Sequence, residues 1–163
     1  MSSRPLELAQ KFIRQWVDEK RPGKLVFTSS GAGLLSVMGF APYCASKHAL
    51  ECIAESLQVE LKPFNIQVQT INPGGYLTGF NETMAESAFH WQDDSKNFIK
   101  RADILKLFDA SIGHEEARLD PKEMIDAMVS IVPDDAGKFR NVVPKTAEEF
   151  LKAHQKEAWE NRI

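Results

Sequence analysis

The sequence predicts an α/β fold in which helices flank a parallel sheet. Three observations predict it. Short apolar runs (KLVF, IQVQTI, FRNVV) alternate with amphipathic stretches of helix length. Helices of that length between strands suggest crossover units, which parallel pairing requires. The first two runs also empty into loops of small residues, TSSGAG and NPGG.

The first helix is expected over residues 5–20. Leu6, Ala9, Phe12, Ile13, Trp16 and Val17 fall on one stripe. Arg21-Pro22-Gly23 stops it. KLVF (24–27) reads as a buried strand running into TSSGAG. A second helix starts near Pro42, since proline is tolerated in a first turn. Its buried face is Leu50, Ile53, Ala54, Leu57 and Leu61, and Lys62-Pro63 ends it. In NIQVQTINPGG, Ile66, Val68 and Thr70 alternate with glutamines, which predicts a strand ending at Pro73-Gly74-Gly75.

Residues 79–97 read as irregular, with Met84, Phe89 and Trp91. Residues 98–112 read as an amphipathic helix. Asp120-Pro121-Lys122-Glu123 has the N-cap, first-turn proline and N3 acid of a helix start. That helix is expected to bury Ile125, Met128, Val129 and Val132. FRNVV (139–143) is a short strand, and Thr146 with Glu149 forms a capping box for a last helix containing Phe150, Leu151, Ala158 and Trp159. No repeat or linker divides residues 1–163, so a single domain is expected.

Composition excludes several function classes. The 163 residues are 43% hydrophobic and 26% charged, an ordinary globular balance. A net charge of -3 argues against a nucleic-acid surface and gives no attraction to anionic membranes. No run of about 18 apolar residues or secretory signal is visible, so the expectation is a cytoplasmic protein. Cys44 and Cys52 have no metal-ligand spacing and read as free packing thiols. No metal site is expected.

The chemistry centres on YCASK, 43–47. On a helix Tyr43 and Lys47 share a face one turn apart. Free tyrosine has a pKa near ~10, and an adjacent ammonium favours the phenolate, so the pair can exchange a proton nearer neutrality. Such pairs are common on exposed helices, and alone this one carries little weight. Ser30 stands 13 residues earlier, in a loop at the carboxyl end of a predicted strand. NPGGYLT (72–78) follows the next strand and opens on the same edge, where open α/β sheets bind ligands.

In KLVFTSSGAG, YCASK and NPGGYLT the chain resembles the short-chain dehydrogenase/reductase family. The last stretch fits the family pattern P-G-x-x-x-T. The resemblance is close over about residues 5–80 and looser beyond, and it implies a Rossmann-like sheet. It implies that Tyr43 is the general acid/base, that Lys47 lowers the Tyr43 pKa and holds the nicotinamide ribose, and that Ser30 orients the substrate oxygen. Pro73, Gly74, Tyr76 and Thr78 would line the cofactor site, although position 76 is usually aliphatic in the family. The implied activity is NAD(P)-dependent hydride transfer to or from a small-molecule alcohol or carbonyl compound. NAD and NADP are not distinguished. Met84, Phe89, Trp91, Phe98 and Leu105 are expected to give the substrate side an apolar lining, with Phe98 and Leu105 favouring the core.

The family's N-terminal dinucleotide-binding strands and glycine-rich turn have no counterpart. Gly31-Ala32-Gly33 is the only G-x-G and belongs to the Ser30 loop. The chain therefore resembles a truncated, C-terminal catalytic half. In the intact fold the KLVF strand has neighbours on both sides, so an exposed sheet edge is expected here. The partners expected are a homo-oligomer or a complementing N-terminal half. The alternative is a truncated non-catalytic member acting as a dimerisation or partner-binding fragment. In the family the helices at 5–20 and 43–61 often form a four-helix dimer interface, so the Trp16 and Leu50/Leu57 stripes could serve core or dimer. A serine hydrolase using Ser30 is weaker. No G-x-S-x-G surrounds it, and His48, His90, His114 and His154 have no identifying context.

Overall fold

A computed structural model describes residues 3–90, 92–110 and 119–160. In chain order its elements are α1 (Ser3–Asp18), β1 (Gly23–Thr28), α2 (Ala41–Leu61), β2 (Ile66–Pro73), α3 (Phe80–His90), α4 (Arg101–Phe108), α5 (Pro121–Ile131), β3 (Arg140–Val143) and α6 (Lys145–Ala158). The described strands form one sheet in the order β1-β2-β3. Both pairings are parallel, with Leu25 opposite Val68 and Ile71 opposite Asn141. The expected α/β class holds, and β1 lies on the sheet edge.

Alternation along the strands sorts the core onto two faces. Phe27, Ile66 and Val68 point to one side, where Ala9 of α1 and Ala54, Leu57 and Leu61 of α2 bury against them. Trp16, Leu50 and Ile53 pack around this cluster, so the Trp16 and Leu50/Leu57 stripes serve the core of this chain. Val26 and Ile71 point to the other side, where Met124 of α5 and Tyr76 cover them. Each large apolar side chain buried in this way contributes about 1.5–3 kcal/mol. A third cluster lies beyond the strand ends: Phe40, Cys44, Ala85, Phe89, Ile104 and Phe108.

Several expectations need correction. Part of the stretch read as irregular, 79–97, is helix α3, which buries Ala85 and Phe89. The polar Asn81-Glu82-Thr83 at its start obscured the apolar spacing. The 98–112 helix begins only at Arg101; Ile104 and Phe108 are its buried residues, and 111–112 lie outside the described residues. Phe98 is fully exposed and Leu105 is exposed, so neither is core. Asp120 does cap α5, accepting from the Lys122 N–H at 2.8 Å. The buried stripe of α5, however, is Met124, Met128 and Ile131; Ile125, Val129 and Val132 face outward. Helix α6 starts at Lys145 after Pro144, without the Thr146–Glu149 box, and it buries Leu151 while Phe150, Ala158 and Trp159 are exposed. KLVF is a strand, but of its residues only Phe27 is buried, because β1 has a partner on one side only among the described strands. No described helix is long and apolar enough to cross a membrane.

Candidate active site

The site forms where β1 and β2 end and α2 begins. The two strand exits are tied together: Ser29 N–H donates to Ile71 O at 2.7 Å, and Asn72 Nδ2 donates to Ser30 O at 3.0 Å. Beyond β1 the chain makes a 3-10 turn over Gly31–Gly33. Ser30 caps that turn, its Oγ accepting from Ala32 N–H at 3.1 Å. The Ser30 hydroxyl is thereby fixed beside the first turn of α2, where Tyr43 stands.

Tyr43 is half-buried, with the Phe80 ring 6.2 Å away and the Lys47 ammonium 5.8 Å from its own ring centre. Lys47 Nζ donates to Thr28 O at 3.2 Å and to Ser29 O at 3.0 Å. Burial pushes the Tyr43 phenol above its ordinary value, against a hydrogen bond from Ser30 that favours the phenolate. Burial also pushes the Lys47 ammonium down, against the nearby Glu51 carboxylate. The direction at Tyr43 is opposite to the one expected from Lys47. The ammonium is committed to two backbone carbonyls, and desolvation of the phenolate dominates.

Two cavities meet at Ser30 and Tyr43. One, of about 380 Å³, is lined by Thr28, Ser29, Lys47, Tyr76, Thr78 and Met124. The other, of about 280 Å³, is lined by Leu35, Met38, Phe40, Met84, Phe150 and Leu151. Ser30, Tyr43, Pro73, Gly74 and Asn81 border both. Every candidate residue read from the sequence, namely Ser30, Tyr43, Lys47, Pro73, Gly74, Tyr76 and Thr78, therefore borders the larger cavity. Tyr76 is buried, and its hydroxyl donates to Glu123 Oε2 at 3.2 Å. Burial and the Glu123 charge push its pKa up to about 12. Of the expected apolar lining, Met84 borders the smaller cavity; Phe89 is packed in the core, and Trp91 lies outside the described residues.

Sequence reasoning missed the support beneath the pair. Asn72 is fully buried and donates through Nδ2 to Glu51 Oε1 at 2.6 Å, while its Oδ1 accepts from Thr70 Oγ1 at 2.9 Å. Glu51, also buried, accepts from Arg140 Nε at 3.0 Å. The available signal was a glutamate four residues after Lys47, on the same helix face and among apolar residues. No described histidine lines either cavity containing Ser30, and His114 lies outside the described residues. Among the described residues no cluster of His, Cys, Asp and Glu could hold a metal ion.

Comparison with known proteins adds an independent line. The profile of the short chain dehydrogenase family matches residues 4–88. The uncharacterized oxidoreductase YusZ of Bacillus subtilis (strain 168) is 29% identical over 121 residues, covering 74% of this chain and 42% of that protein. A short-chain dehydrogenase from Streptomyces avermitilis superposes with a TM-score of 0.71 at 23% identity, covering 96% of this chain and 54% of that one. A short chain dehydrogenase/reductase from Burkholderia phymatum, solved in complex with NAD, superposes with a TM-score of 0.62 at 18% identity, covering 90% and 52%. The chain spans about half the length, or less, of the curated relatives it matches.

Proposed function

The chain belongs to the short-chain dehydrogenase/reductase family, and we propose that it carries the proton-transfer half of an NAD(P)-dependent oxidoreductase acting on an alcohol or carbonyl compound. The observation that carries this reading is the position of Ser30 and Tyr43 on the wall common to two cavities, with Lys47 lining one of them. A reaction between two bound molecules needs such a wall.

The Lys47 side suits the nicotinamide riboside part of the cofactor. It offers the Lys47 ammonium, and Thr78 borders the same cavity. Lys47 and Thr78 would hold the group there, with Pro73, Gly74 and Tyr76 along its edge. When bound, the cofactor supplies or accepts the hydride. The protein moves the proton. In reduction Tyr43 gives its phenolic proton to the carbonyl oxygen, and in oxidation it takes the proton back. Ser30 donates a hydrogen bond to the same oxygen and fixes its distance from Tyr43. Among the described residues no strand, glycine-rich turn and helix form a cradle for the pyrophosphate and adenine. A complementing N-terminal half would supply that contact.

Titration of the folded chain with NADH and NADPH, followed by nicotinamide fluorescence, tests the reading. Saturable micromolar binding supports it. If the chain binds neither nucleotide and an added N-terminal half fails to restore activity, the reading falls.

A further inference from the structure

The smaller cavity has a chemical character that narrows the substrate class. It lies between the loop after Ser30 and helix α6. Apart from Ser30, Tyr43, Cys44 and Asn81 its described side chains are aliphatic, aromatic or thioether. Cys44 Sγ already accepts the Val37 N–H at 3.4 Å. No Lys, Arg, His, Asp or Glu is among the described lining residues, whereas Lys47 borders the neighbouring cavity. A carboxylate or phosphate drawn into the smaller cavity would lose water and gain no counter-charge, a cost far above that of an alkyl group. The apolar wall also continues outward. Val37, Met38 and Phe150 border the cavity and are 40%, 47% and 62% exposed. Exposed apolar side chains gathered at one mouth mark a surface that meets an apolar ligand.

We propose that this cavity takes an uncharged ketone or secondary alcohol bearing an alkyl chain, with the oxygen at Ser30 and Tyr43 and the chain leaving between Met38 and Phe150. The proposal rests on the oxidoreductase reading for the identity of the reacting group. The chain-binding surface itself can be tested without turnover.

The experiment uses a series of 2-alkanones from 2-butanone to 2-undecanone, with levulinate as the charged short analogue. Binding to the folded chain is measured by ligand-observed NMR and calorimetry, and NADH binding is measured separately. Affinity should rise about three- to four-fold per methylene along the series. Levulinate should bind at least about ten-fold more weakly than 2-hexanone. Phe150→Lys, at an exposed position on the mouth, should weaken 2-undecanone about ten-fold, more than it weakens 2-butanone. An affinity independent of chain length, or levulinate equal to 2-hexanone, overturns the substrate class; NADH binding retained in that case leaves the oxidoreductase reading standing. A steep chain-length series with no NADH binding supports the alkyl cavity and counts against the cofactor reading.

Discussion

Asn72 Nδ2 donates a 2.6 Å hydrogen bond to the buried carboxylate of Glu51, and the same amide nitrogen donates to Ser30 O at 3.0 Å. One amide thus ties the end of β2 to the middle of α2 and to the loop that carries Ser30. Arg140 closes the network from β3, 3.0 Å from Glu51 Oε2.

Glu51→Ala should therefore destabilise the fold by about 2–3 kcal/mol, because it removes one of the two acceptors of the buried Asn72 amide and the nearer of the two carboxylates facing Arg140. Glu51→Gln should cost less, since it keeps the shape and one acceptor oxygen. Urea denaturation midpoints of the two variants check the order. Equal midpoints for Glu51→Ala and the parent would remove the network from the account of stability.

The chain has 2 tyrosines, Tyr43 and Tyr76, and burial holds both phenols above their ordinary value. The sign is fixed by the neutral form being favoured in the folded state. Stability from this source is complete below the unfolded value near ~10 and is lost as pH rises through the folded one, about 12 for Tyr76. An absorbance titration should show phenolate near pH ~10 in urea and later in the folded chain. Native phenolate appearing at lower pH than in urea would contradict the burial argument.

Under the proposed function, the raised phenol also sets a pH signature for turnover once the cofactor site is completed. At neutral pH Tyr43 is protonated, ready to act as an acid. Carbonyl reduction should stay level through neutrality and fall only in the alkaline range, while alcohol oxidation should climb with pH. Tyr43→Phe should lower kcat by about 10²–10⁴-fold and leave the affinity for NADH within about two-fold. Unchanged turnover in this variant would remove Tyr43 from the mechanism.

How much of this was legible in the sequence depended on the kind of signal. The site motifs were legible because each is local: Ser30 follows a strand, Tyr43 and Lys47 share a helix turn, and Pro73-Gly74 ends the next strand. Strand parity was legible because alternation has one solution. Helix faces were harder. In α5 the stripe Ile125, Val129 and Val132 repeats the spacing of Met124, Met128 and Ile131 one residue later, and only the sheet chooses between them. In α6 Leu151 turns inward and Phe150 outward for the same reason. The Glu51–Asn72 contact joins residues 21 apart in sequence, so no local pattern carries it. The Tyr43 direction was misjudged because proximity to Lys47 was readable and desolvation was not.

Gly33 is where the loop after Ser30 meets α2. A Cβ there would lie 2.9 Å from Ser29 Oγ, 3.0 Å from Glu51 Cγ and 3.1 Å from Lys47 O. The last is helix backbone and cannot swing aside. Gly33→Ala should cost about 1–3 kcal/mol and push the Ser30 loop away from Tyr43. Gly79 offers a control. Its φ of +75 favours glycine, yet a Cβ would meet nothing within 4 Å. Gly79→Ala should cost only the backbone strain, about 1 kcal/mol. Thermal melts of the two variants that fail to separate would show that crowding at Gly33 is relieved elsewhere.

Strand β1 gives the last prediction. It pairs with β2 on one side, and no described strand pairs with its outer side. Leu8 and Phe12 of α1 are 59% and 46% exposed. An open parallel edge and exposed apolar side chains each favour association with another chain. The isolated chain should therefore sediment as a concentration-dependent oligomer, and its melting temperature should rise with protein concentration. Val26→Pro would remove a backbone donor from β1 and also perturb its packing. Phe12→Lys is therefore the cleaner variant, since it changes an exposed position. It should shift the species toward monomer while leaving the circular dichroism spectrum intact. A parent chain that sediments as a monomer at all concentrations, with a two-state melt independent of concentration, would show that this edge is protected without a partner.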